Sequence, residues 1–144
     1  MSSPAMPFKA SEEAALRASV ALKAAMGITG ANPVRLYVEV PKNAPLPYVV
    51  LGQHEIDDLS SDCGGAHSIV STVQWWTKDI GPTKGADAVR QQGAAIVAAL
   101  FKELPITGHD TVLVEMEEPE SYGTDPDQSS RGRVAFRYET TALA

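Results

Sequence analysis

A chain of 144 residues, 44% hydrophobic and 21% charged, has room for one compact domain spanning 1–144, and its ordinary composition excludes a low-complexity or disordered chain. No apolar run approaches the roughly 18 uncharged residues of a membrane span, and the opening MSSPAMPFKASEE lacks the apolar stretch of a signal peptide. The net charge of −6 disfavours a clamp on nucleic-acid phosphates, and the single cysteine, Cys63, excludes an internal disulfide.

Residues 1–10 are expected as a flexible segment, followed by a helix over about 11–26. Ser11 offers a capping hydroxyl, Glu12 and Glu13 complement the helix dipole, and Gly27 and Gly30 end the helix. Its apolar arc, Leu16, Val20, Leu22 and Met26, is interrupted by Lys23. Val34 to Val40 alternates as a half-buried strand, with Val34, Leu36, Val38 and Val40 on one side. Prolines 41, 45 and 47 then make a surface connection, because a segment so poor in backbone donors does not lie inside a sheet. A second strand runs from Tyr48 to about Ile56.

After the turn-rich Asp57 to Gly65, the stretch SIVSTVQWW, Ser68 to Trp76, carries bulk on both faces. It is a central strand, or a strand with one face in the core and the other against a partner. Val89, Gly93, Ile96, Val97, Leu100 and Leu104 form a narrow helical stripe within about 84–103, where Gly93 allows a close approach to a sheet and Pro105 ends the helix. His109 to Met116 is a fourth strand, Glu117 to Arg131 a long polar loop, and Gly132 to Thr140 a last, cleanly alternating strand. The order α-β-β-β-α-β-β favours an α+β fold: a mostly antiparallel sheet of about five strands with two helices packed on one face.

Sites for chemistry are sparse. Cys63 would need His67, four residues on, folded back across Gly64 and Gly65 to act as its base, and no known signature surrounds it, so it is expected to be a loop cysteine. Cys63, His67 and His109 have no paired metal-ligand spacing and are expected as polar loop and strand-edge residues. The pairs Asp57–Asp58 and Glu117–Glu118 lie in stretches expected to be solvated, away from the apolar wall that splits carboxyl pKa values. No P-loop, GxGxxG or GxSxG occurs. Trp75 and Trp76 point to opposite faces of a strand, so they form no single stacking platform: one belongs in the core, the other over a helix or against a neighbouring subunit.

Five stretches carry a resemblance: PLPYVVLG, TVQWW, the Gly-bearing AVRQQGAAIVAALF, GHDTVLVEM and the closing DPDQSSRGRVAFRYET. Together, over nearly the whole chain, they resemble the tail completion, or tail terminator, family of long-tailed bacteriophages and prophage-derived gene transfer agents. The opening MSSPAMPFKA and the cysteine-bearing loop have no counterpart to assign. The resemblance implies a non-enzymatic virion protein with no cofactor and no membrane partner. It implies a homohexameric ring at the head-proximal end of the tail tube, assembled in the bacterial host cytoplasm. Its partners would be copies of itself, the tail tube protein and a head–tail connector or stopper, with DNA passing through the lumen without specific binding.

On that footing the proline connector, with Pro45, Pro47 and Tyr48, is expected near a subunit boundary together with Trp76. Part of the acidity from Glu115 to Asp127, which includes Glu117, Glu118, Asp125 and Asp127, is expected toward the lumen or the tube-facing rim, since an acidic channel does not hold phosphates. A head-closure or minor tail protein of the same particle, or a small enzyme using Cys63, are the alternatives.

Overall fold

In the computed structural model, which describes residues 3–59 and 65–143, α1 runs Ala5–Arg17 and so starts ahead of the expected cap at Ser11. Cys63 lies outside the described residues. Pro4 takes the N-cap position, Phe8 is fully buried, and Ser11 and Glu12 face the interior rather than the first turn. A short α2, Val20–Ala25, follows a break at which the Ser19 hydroxyl accepts the Leu22 amide at 3.1 Å. The break resets the helical phase, so Leu16, Leu22 and Met26 are buried whereas Val20 stands 82% exposed. One expected helix is thus two, and with α3, Gly85–Leu100, the fold has three helices among the described residues.

Five strands form one sheet in the order β1-β2-β3-β5-β4. They are β1 Leu36–Tyr37, β2 Tyr48–Asp58, β3 His67–Thr77, β4 His109–Thr124 and β5 Ser130–Ala142. The last three pairings are antiparallel, but β1 lies parallel to β2, so the sheet is mixed. The expected seven-residue first strand shrinks to two residues for a local reason. β2 loses its register after Val50, and Gly52, at φ +109°, leaves only enough space for Val38, whose Cγ1 would lie 2.8 Å from a Cβ there. Beyond that point Val38 and Val40 are half exposed.

The largest departure is at Glu117 to Arg131, expected as a loop. β4 continues to Thr124 and β5 begins at Ser130, so only a tight turn remains. The glutamates that suggested solvated chain are matched across the ladder by arginines of β5. Pro119 is tolerated because β4 is an edge strand, where a missing N–H costs no ladder bond.

All three helices cover one sheet face. There β3 contributes Ile69, Ser71, Val73 and Trp75, β5 contributes Val134, Phe136 and Tyr138, and α3 contributes Val89, Ile96 and Leu100. Gly93 is the close approach expected of it: a Cβ there would stand 2.4 Å from the Tyr122 hydroxyl and 2.8 Å from Trp75 Cζ2. The Trp75 indole also lies over Gly132, and its Nε1 donates to the Val89 carbonyl at 2.9 Å. Burial of each large side chain contributes about 1.5–3 kcal/mol. The opposite face of the sheet carries no helix among the described residues, and it presents the functional candidates.

Candidate functional site

On the uncovered face, the ends of β2, β3, β4 and β5 meet at one corner of the sheet, and five of the eight candidate residues gather there. Tyr48 pairs in register with Trp76, and Trp76 with Arg131. The Tyr48 and Trp76 rings stack at 5.6 Å with a 30° interplanar angle, and Tyr37 closes on Tyr48 edge-on at 5.7 Å. Trp76 Nε1 donates to Asp125 Oδ2 at 2.9 Å, and Asp125 Oδ1 also holds Arg131 at 3.1 Å. Asp127 shapes the β4–β5 turn, accepting from the Ser129 amide at 3.1 Å and the Ser129 hydroxyl at 2.7 Å. Those hydrogen bonds hold the Asp127 carboxyl below its usual range. Burial, with the charges of Asp127 and Asp125, pushes the Tyr48 phenol up.

The connector approaches the same corner. Pro47, whose bond to Leu46 is cis, is buried, and its carbonyl accepts from Arg35 Nη1 at 3.2 Å. Pro45 is exposed farther out. A cleft of about 580 Å³ opens beside it, with Arg35, Tyr37, Leu46, Pro47, Lys78 and Asp79 among its walls. None of these is a nucleophile paired with a base.

Glu117 and Glu118 stand apart, along the ladder from this corner. Glu118 pairs with Arg133, and Arg137 is shared among Glu115, Glu117 at 3.5 Å and Glu139 at 2.7 Å. Glu115 leads the causes that hold the Arg137 guanidinium above its ordinary range. These are half-exposed pairs in a lattice, each worth about 0–1 kcal/mol. They organise the uncovered face and do not create a strong field of one sign.

One further cluster is not legible in the sequence. Glu12, fully buried, accepts from Ser71 Oγ at 2.5 Å through Oε2 and meets His54 Nε2 at 2.9 Å through Oε1. The residue types are those of a hydrolytic triad, but the order is not: the carboxylate stands between serine and histidine, so the imidazole does not reach the hydroxyl. Ser71 is also 1% exposed. The cluster ties α1 to β2 and β3. Its only sequence signal was a serine on the apolar face of β3, with nothing to connect it to Glu12, 59 residues away.

The histidines of the candidate metal set are neighbours, with ring centroids 6.2 Å apart; His67 opens β3 and His109 opens the edge strand β4, where it is buried. No group of three or more metal-binding side chains occurs among the described residues. No helix among them is long and apolar enough to cross a membrane.

Comparison with known proteins gives two findings. Residues 13–141 match the family model described as Tail completion protein gp17. Among solved structures, a chain from "Virion of native gene transfer agent (GTA) particle" superposes with a TM-score of 0.76 at 21% identity, covering 99% of this chain and 100% of that one. At that identity the likeness is one of fold. No curated protein matches the chain.

Proposed function

Because this chain belongs to the tail completion protein gp17 family, and is thus a structural protein of a phage-type tail, we propose that it is the tail terminator. In this reading it forms a ring, a homohexamer, on the head-proximal end of the tail tube. The ring stops tube polymerisation and presents its other side to a connector or stopper on the head. It acts through shape and charge, without bond-making at any side chain. The single observation that supports this most strongly is the family match across 13–141, nearly the whole chain.

The architecture suits the role. One sheet face is sealed by helices, and the other carries aromatic and charged side chains with no layer over them among the described residues. The stacked Tyr48–Trp76 corner, with Pro45 and Pro47, lies near a boundary between copies. Part of the acidity of residues 115–127 faces the lumen or the tube-facing rim, where unpaired carboxylates keep DNA phosphates from lodging. Glu117 and Glu118 are already matched by arginines, so Asp127 is the stronger contributor.

The test is a particle that lacks the protein. Tails without a defined end, and filled heads without tails, are expected, with recovery by the wild-type chain and by Cys63→Ala. Well-ended tails docked to heads in its absence would overturn the reading. Failure of Cys63→Ala alone would favour the enzyme alternative.

A further inference from the structure

A ring built from one kind of chain needs two unlike surfaces that fit each other, and a five-stranded open sheet has two margins that could supply them. Among the described residues, β1 pairs only with β2, and β4 only with β5. The two margins differ in charge. From 109 to 127 there are seven carboxylates, Asp110, Glu115, Glu117, Glu118, Glu120, Asp125 and Asp127, and no lysine or arginine. The stretch from 19 to 47, which holds β1 and its connector, has Lys23, Arg35 and Lys42 against Glu39 alone.

Resting on the ring reading above, we propose that each contact in the ring joins the β1 margin of one copy, residues 38–47, to the β4 margin of the next, residues 117–123. The β1 margin exposes large apolar side chains, Val38 at 50% and Val40 at 42%. Both margins hold charge left over from internal pairing. Lys42 is exposed and has no ion-pair partner among the described residues, and Glu120 receives only the Tyr122 hydroxyl. A like-with-like pairing of two β4 margins would set Glu117, Glu118 and Glu120 of one copy against the same three of the other and leave Glu120 without a cation, whereas the head-to-tail contact brings Glu120 to Lys42.

The heights agree. Register carries Leu36 through Val49, Trp75 and Gly132 to Tyr122, and Tyr37 through Val50, Gln74 and Arg133 to Ser121. Rotation about an axis along the strands therefore brings the connector level with Glu118 to Gly123. The contact is one of side chains. Pro119 and the register shifts on both sides of Glu118 prevent this part of β4 from extending the ladder into a neighbour.

The test uses assembled particles carrying Cys63→Ser with Lys42→Cys and Glu120→Cys, oxidised and run without reductant, beside wild-type particles treated with a general amine cross-linker. The proposal expects a ladder of covalent multimers beyond the dimer in both, and loss of most of the monomer band in the double-cysteine chain. Wild-type multimers without a cysteine ladder would overturn the margin pairing and leave the ring intact. Absence of multimers from the amine cross-linker would overturn the ring itself. Charge reversal gives a second readout: Lys42→Glu or Glu120→Lys alone should lower particle yield roughly tenfold, and the two together should restore it. Equal yields in all three would also overturn the pairing.

Discussion

Trp75 and Trp76 are adjacent in sequence, yet they serve the two faces of one sheet under opposite physical rules. Trp75 lies in a dry layer, over Gly132 and beside Gly93, with its one polar atom satisfied by the Val89 carbonyl. Trp76 lies on the uncovered face, stacked on Tyr48 and donating to a carboxylate that an arginine also holds. On the first face, Gly93 and Gly132 make room for the Trp75 indole. On the second, charges and aromatic edges remain within reach of solvent or of another chain. The helical face maintains the fold, and the other face carries no helix among the described residues.

That contrast is open to attack by substitution. The largest effect is expected at Gly132→Ala, since its Cβ would stand 2.2 Å from Trp75 Cε2 and the indole has nowhere to move. A loss of about 3 kcal/mol, or failure to fold, should appear in chemical denaturation. Glu12→Ala should follow, at about 2–4 kcal/mol, because it leaves Ser71 and His54 without their shared partner. Glu12→Gln keeps the shape and should cost less than Glu12→Ala. Trp76→Ala, on the bare face, should cost the isolated chain only about 1–2 kcal/mol while sharply reducing assembly into particles. A loss of stability equal to that of Trp75→Ala would dissolve the distinction between the faces.

The smallest effect is expected at Asp127→Asn, and it should depend on pH. Hydrogen bonds from Ser129 lower the folded-state pKa of Asp127, so its contribution is complete above the usual carboxylate range and fades as pH falls through the folded value. Thermal melts of wild type and variant should differ slightly at neutral pH and converge in acid. A gap that widens in acid would contradict the turn geometry.

Legibility in the sequence followed the same division. The stripe of α3 and the alternation of β3 and β5 were readable because burial on one face imposes a period. The break at Ala18 and Ser19 was not, since a capping serine inside a helical pattern reads as helix until Leu22 is seen bonded to it. The far half of β4 was hidden by its own composition. Four glutamates and a proline between Glu115 and Glu120 signal loop locally, and only Arg133 and Arg137, on the next strand, turn them into ladder. Trp76, Tyr48 and Asp125 were each legible as surface candidates, but their meeting at one corner depends on registers that local pattern does not encode.

Whether this chain ends tubes is read directly by electron microscopy of tail tube protein polymerised with and without the purified chain. A ring at one end of each tube, with growth halted at that end when fresh subunits are added, is the result expected. Tubes that bear no ring and lengthen equally at both ends would contradict it.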